Sequence, residues 1–387
     1  MNVLFLSSNF PSAKHSVSHE VVLNALITEM AKTNHIFLAT TFVTNKRIGQ
    51  YKNFYYLGDF TIFLKRKSFF KFNLEFSFKD QEELKKKLKI KKMDNIILFW
   101  DTYFDLLKFN KGEKVISYAA KPRFSNSLSE LLGRWPTKFN ILNLINLLIL
   151  RKKHYLNYKK FSKNFNICNI DVKKSSKNGM KCNYLNNTWP DFFGKDCIKK
   201  RFEKLDQNVI KIIANIGNVN STGNKIGIDY FIKKILPSLN EYILNKSIEV
   251  SIFGKGSLEY KYKLKDLNLI KKKGFINNLD DEVSNSQIYI LCNNTGFHYG
   301  GYTRVCYIMS SGCVLVADKR LSSSMPELIH NYNCLLSKNE FEMIELIRLL
   351  IFNKELRKEI ATNARKTYEQ LYTPKIVAER LLSNAQE

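Results

Sequence analysis

The sequence predicts an α/β fold made of two doubly wound, Rossmann-like domains, each a parallel sheet wrapped by helices. Three observations predict it. The chain has 387 residues, enough for two domains of ordinary size. Apolar runs of strand length alternate with helix-period segments through both halves, which is the pattern of successive βα units. Glycines at 217, 254 and 300 follow such runs closely, where a parallel strand hands over to its helix.

The first half opens with a strand at 3–7, a loop at 8–18 containing Pro11, a helix at 20–32 and a strand at 36–41, a complete βαβ start. Further strands are predicted at 60–64, 96–100, 115–118 and 165–170, and 81–91 reads as an exposed, very basic helix. The second half runs strand 209–216, a polar loop through Gly223, helix 228–236 stopped by Pro237, and strand 248–253. The turn Gly254-Lys255-Gly256, a helix to about 267, helix 279–284 and strand 288–292 come next. Helix 303–311 is closed by Gly312, and strand 313–317 is followed by helices at 341–352, 354–370 and 373–384.

The densest signal lies at 296–318, where a glycine-bearing loop, a short helix and a buried strand follow without a break. Gly300 and Gly301 let backbone come close to a ligand, just ahead of a helix N-terminus whose free N–H groups and dipole favour an anion. Arg304 adds a fixed positive charge in the first turn. A diphosphate fits such a cradle. The segment resembles the donor site of GT-B glycosyltransferases, the GT4-like group in particular. There a Glu-Gly-x-Gly loop, a basic residue, a helix with a second glutamate, a glycine and an apolar strand occur in that order. Gly300, Arg304, Gly312 and the run 314–317 correspond, whereas the two glutamate positions, eight apart, hold Tyr299 and Tyr307.

The resemblance covers 209–384 in order and 1–41 more loosely. It implies an N-terminal acceptor-binding domain at 1–191 and a C-terminal donor-binding domain at 192–387, facing across a cleft, with the last helix at 373–384 crossing back. It also implies transfer of a sugar from a nucleotide diphosphate to an acceptor hydroxyl, retaining configuration, without metal ion or other cofactor. The acceptor would be a glycan or lipid-linked molecule in cell-surface polysaccharide, lipopolysaccharide or glycolipid synthesis. Arg304 and Lys255 are then the cations assigned to the departing diphosphate, and Tyr302 and Thr303 complete the donor loop. Phe275 and Ile276 fall where the family holds the base. Where the family has Gly-Arg and Lys-Gly, this chain has Gly217-Asn218 and Lys225-Ile226-Gly227. Tyr307 keeps one hydroxyl for the ribose that a glutamate would grip with two oxygens. On the acceptor side, His19, Glu20 and Asp101 are base candidates for an inverting enzyme, and Lys121 and Arg123 suit an anionic acceptor. A GT-B epimerase would bring more histidines and carboxylates than these. A catalytically degenerate GT-B subunit, serving as a binding or assembly partner, fits the replaced glutamates and the missing arginine.

Net charge is the second signal. There are 62 basic against 35 acidic residues, +27 overall, which places a positive field over much of the surface and implies a polyanion nearby. Nucleic acid is disfavoured because no recognised binding motif accompanies the charge. Residues 134–153 put a helix-sized apolar stretch between basic flanks, with Trp135 and Phe139 at one end. The stretch is either a helix lying on an anionic membrane or a buried helix of the first domain. No apolar run is long enough to span a bilayer, and Met1-Asn-Val-Leu is not a leader, so the expected location is cytoplasmic, peripheral on the membrane if that helix binds it. Seven scattered cysteines without a C-x-x-C pair indicate neither a disulfide framework nor a zinc site. His15 and His19 are four apart but lack a third ligand.

Overall fold

The computed structural model describes residues 1–12, 17–40, 54–59, 62–68, 71–76, 93–100, 114–120, 141–204, 209–259, 269–293 and 300–383. Several sequence expectations lie outside these residues: His15, Asp101, Lys121, Arg123, Trp135, Phe139, Tyr299, the helix at 81–91 and the end of the one reaching 267. The chain divides into two compact units, Met1–Thr188 with Pro374–Glu387, and Trp189–Thr373.

The first unit is built on seven parallel strands in the order β3-β2-β1-β6-β7-β8-β9. They are β1 (Asn2–Ser7), β2 (His35–Thr40), β3 (Phe54–Asp59), β6 (Asn95–Phe99), β7 (Val115–Ala119), β8 (Lys163–Asn166) and β9 (Asn183–Tyr184); β4 (Ile62–Ser68) and β5 (Lys71–Phe76) form a separate antiparallel ribbon. Strands β6 and β7 are buried along their whole length, as expected where helices cover both faces of a parallel sheet. The helices of this stretch are α1 (Ser18–Met30), α2 (Ile141–Tyr158) and α3 (Asn169–Lys177). The single strand expected at 60–64 is replaced by β3 and the ribbon, because Phe54–Asp59 joins the sheet edge beside β2.

The second unit has six parallel strands in the order β12-β11-β10-β13-β14-β15. These are β10 (Ile210–Asn215), β11 (Ile248–Ile252), β12 (Ile270–Lys272), β13 (Ile288–Leu291), β14 (Val314–Asp318) and β15 (Leu335–Ser337). Its helices are α4 (Cys197–Lys204), α5 (Thr222–Tyr230), α6 (Asn240–Leu244), α7 (Leu279–Ser284), α8 (Thr303–Ser311), α9 (Leu321–Ser324), α10 (Glu340–Phe352) and α11 (Lys354–Leu371). Helix α12 (Pro374–Ser383) belongs to the first unit, where it packs on α1. One side of the second sheet buries Ile212, Val250, Ile290 and Val316 against Phe231 and Ile347; the other buries Ile213, Tyr289, Leu291 and Leu315 against Val305, Met309 and Tyr368.

Other elements differ from the sequence expectation too: the strand expected at 165–170 is β8, which ends at Asn166, and α3 already begins at Asn169. Helix α5 begins at Thr222 rather than 228, and Pro237 does not stop the helical path. The chain passes from α5 through a π-helical turn, Phe231–Ile235, into a 3-10 turn, Leu236–Leu239. Pro237 sits in the first turn of that 3-10 segment, where no intrahelical N–H is required.

Candidate functional site

In the second sheet the winding direction reverses between β10 and β13, and an open α/β sheet binds ligands outside the carboxyl ends of its strands at such a switch. The residues singled out in the sequence gather at this edge. Gly217 follows β10, the Gly254–Gly256 turn follows β11, Phe275 and Ile276 follow β12, and Gly300–Tyr302 lead into α8 after β13. Two buried asparagines bridge the switch: Asn293 Nδ2 donates to Asn224 Oδ1 at 2.7 Å, and Asn224 Nδ2 donates to the Asn218 carbonyl at 2.7 Å. The Tyr302 hydroxyl reaches the Asn293 carbonyl at 3.5 Å. A Cβ on Gly227 would sit 2.5 Å from Asn293 Oδ1, so this glycine lets α5 press against the end of β13. Lys225, two residues earlier, is exposed.

The loops on the other side of the switch are laced backbone to backbone. Gly217, Gly254 and Gly256 have φ of +105°, +123° and +82°, which L-residues with side chains rarely adopt. A Cβ on Gly254 would overlap the Gly217 carbonyl. Gly254 N donates to the Gly274 carbonyl at 2.7 Å, Gly274 N to Ser257 Oγ at 2.9 Å, and Val219 N to the Lys255 carbonyl at 3.1 Å. Asn215 Nδ2 is shared by the Gly217 and Phe253 carbonyls, both at 3.1 Å. The Lys255 side chain is exposed; Phe275 is 64% exposed, while Ile276 packs onto the core.

Helix α8 carries opposite arrangements at its two ends. At its C-terminus Gly312, at φ +70°, closes the helix, and buried cations meet the last carbonyls: Arg365 Nη1 donates to Ser310 O and Arg201 Nη2 to Ser311 O at 3.0 Å. Asp191 grips Arg365 with both carboxylate oxygens. At the N-terminus Tyr302 occupies the extended cap position with no side-chain cap bond. Arg304, in the first turn, lies 5.7 Å from the Tyr302 ring and beside the Tyr289 hydroxyl. Burial raises the Tyr289 phenol pKa, and the guanidinium opposes part of that rise. Arg304 Nη1 is buried, with no hydrogen-bond acceptor among the described residues.

Tyr307 faces inward, 4% exposed, with its ring against Trp189 and Phe193. Its hydroxyl donates to Asp280 Oδ1 at 2.8 Å, so the proton expected to serve a ribose is already given to a carboxylate on α7. Burial first and Asp280 second push its phenol pKa far up.

At the corresponding β1/β6 switch of the first unit, the Ser7 hydroxyl and His19 Nε2 are 3.0 Å apart, and the His19 ring lies 5.2 Å from Phe99 and 5.8 Å from Trp100. Glu20 accepts from Asn9 Nδ2 at 3.1 Å. Burial lowers the His19 pKa to about 4, which leaves the ring neutral near pH 7 but a weak base. Among the described residues no cluster of three His, Cys, Asp or Glu side chains is arranged to hold a metal ion.

No family model matches the sequence, and no curated protein matches it. Solved structures do. HepE of Anabaena, in complex with UDP and glucose, superposes over 100% of this chain and 99% of its own, with a TM-score of 0.60 at 13% identity. A glycosyltransferase from Rickettsia africae covers 99% of this chain and 97% of its own, with a TM-score of 0.63 at 11% identity. The chain has the GT-B fold. A TarM variant of S. aureus in complex with UDP agrees, covering 100% of both chains with a TM-score of 0.64 at 9% identity. Within this GT-B chain, sequence reading missed Asn224, Asn293, Asp280 and Tyr289. Asn224 and Asp280 lie in short helices with nothing local to mark them, Tyr289 reads as the interior of the strand at 288–292, and Asn293 falls just beyond its end.

Proposed function

We propose that the chain is a glycosyltransferase that takes its sugar from a nucleotide diphosphate held at the β10/β13 switch of the second unit. The observation that carries this reading is the convergence there of glycine loops tied backbone to backbone and the N-terminus of α8, with a buried Arg304 nitrogen that has no acceptor among the described residues. In the reaction the bond between the anomeric carbon and the diphosphate oxygen breaks, and negative charge grows on the leaving phosphate. First-turn N–H groups of α8 and the Arg304 guanidinium oppose that charge, with Lys255 approaching from its turn, so no metal ion is needed. The sugar passes to a hydroxyl of a glycan or lipid-linked acceptor, whose proton goes to the departing phosphate oxygen, with configuration retained. Asp280, at the tip of Tyr307, takes over the ribose contact that the resemblance assigns to a glutamate. Uridine diphosphate is the first nucleotide to test, because the HepE and TarM structures hold it.

The test is calorimetric titration with UDP, GDP, CMP, ADP and dTDP, with and without EDTA. One of them should bind in the micromolar range, unaffected by EDTA, and Arg304→Ala should weaken it at least tenfold. Equal, salt-sensitive binding of all five would reject the donor site. A second reading, a GT-B subunit that binds without catalysing, is favoured by the commitment of the Tyr307 hydroxyl to Asp280. Saturable nucleotide binding without hydrolysis or transfer of the matching nucleotide sugar would support it.

A further inference from the structure

Helix α2 turns an aliphatic stripe to solvent. Ile145, Leu148, Ile149 and Leu156 are 44%, 56%, 40% and 52% exposed, and Lys152, also exposed, lies among them. The spacing i, i+3, i+4, i+7, i+11 confines all five to about 100° of arc at 3.6 residues per turn. His154, across the helix from the stripe, is buried, as are Tyr158 and, on the flank beside Leu148, Tyr155; the His154 and Tyr158 rings meet at a tilt with centroids 4.1 Å apart. The helix is therefore held in place by one face and leaves an apolar one uncovered.

The charge around that face has one sign. Between 131 and 190 the chain carries twelve lysines and arginines, and its only acid, Asp171, is buried. Several of the cations are gathered beside the stripe. Arg151 Nη2 donates to Asn178 Oδ1 at 3.1 Å, joining α2 to the end of α3, and Lys159 Nζ lies against Gly179. Lys160, Lys174 and Lys177 are exposed in the same region. A second copy of the chain would bring like charges together on this face. Nucleic acid would answer the charge but leave four aliphatic side chains unmatched, since bases stack on aromatic or guanidinium groups. A lipid surface with anionic headgroups offers both complements at once, acyl chains for the stripe and phosphates for its border.

We propose that α2 is a membrane-interface helix, which seats Ile145, Leu148, Ile149 and Leu156 in an anionic lipid surface with Arg151, Lys152, Lys159 and the lysines of α3 at headgroup level. No helix among the described residues is long and apolar enough to cross a membrane, and this one lies along the surface. The inference is independent of the nucleotide site.

Vesicle flotation of the full chain tests it, using phosphatidylcholine alone and an equal mixture with phosphatidylglycerol. The protein should float with the mixed vesicles only, and Leu148→Asp with Ile149→Asp should reduce the bound fraction at least tenfold while thermal unfolding stays unchanged. All seven cysteines are buried, so Leu148→Cys can be labelled selectively with an environment-sensitive dye, a readout that survives if the double variant folds poorly. A blue shift on mixed vesicles supports insertion. Undiminished flotation of the double variant, or no spectral shift, would mean adsorption by bulk charge and overturn the proposal. Self-association that this variant abolishes without lipid would overturn it as well. UDP titration of the same variant separates the two readings, because nucleotide binding should be retained whether or not the vesicle result holds.

Discussion

Tyr307 and Asp280 meet through one hydrogen bond of 2.8 Å, and what each does is decided by the other. In the sequence a tyrosine stands where the resemblance implies a glutamate, but the phenol is longer, and α7 sets a carboxylate at its tip. Tyr307→Phe should keep the fold and cost about 1.5–3 kcal/mol, the net value of a hydrogen bond to a charged group, seen as a fall in unfolding temperature. Asp280→Asn should spare stability yet weaken nucleotide binding several-fold by calorimetry, since a ribose hydroxyl bonds better to a charged oxygen. Equal affinity would remove Asp280 from the site. Gly254 is the opposite case, a residue whose importance lies in having no side chain. Gly254→Ala combines a strained φ of +123° with overlap on the Gly217 carbonyl, and should destabilise the second unit by roughly 3 kcal/mol in chemical denaturation. The glycines were visible in the sequence, but not that two of them touch, because Gly217 and Gly254 become neighbours only when β10 pairs with β11.

At the scale of elements, long runs of one period were legible and short mixed ones were not. Helix α8 lies at 303–311 as its apolar positions and Gly312 predict, and α10 and α11 follow their periodicity within a residue. The start of α5 was hidden by Thr-Gly-Asn-Lys-Ile-Gly, a poor helix-forming run on propensity alone. Packing overrides that preference: the small surface at Gly227 lets the helix approach Asn293, and Asn224 completes the hydrogen-bond chain to the loop after β10. Gly227→Ala gains helix propensity on paper but must displace Asn293, so its expected result is a lower unfolding temperature and weaker nucleotide binding together. If thermal denaturation instead shows a stabilised protein, the asparagine bridge does not hold the loop.

For the whole molecule, the buried His154 and the partly buried His19 set a pH dependence. Burial lowers both His19 and His154 from 6.5 to about 4. Below pH 6.5 the unfolded chain takes up protons that the folded one refuses. The stability these sites contribute is therefore complete above pH 6.5 and is lost as pH falls towards 4. His154 is the deeper of the two and should dominate, at roughly 2–3 kcal/mol, with a smaller share from the partly exposed His19. Urea denaturation between pH 7 and pH 4.5 should show this decline, and His154→Phe should flatten it. The sequence by itself determined the alternation of strands and helices, the glycine-rich edge and the large positive charge, because each is written in local order or in composition. Only the tertiary structure decided which sides of those elements are used. It turned Tyr307 inward onto Asp280, brought Asn224 to Asn293 across the sheet switch, folded Arg304 back between Tyr302 and Tyr289, and left the aliphatic side of α2 in solvent. Local pattern specifies an element and its period, whereas the partner on each face comes from strand order, which brings together residues far apart in the chain.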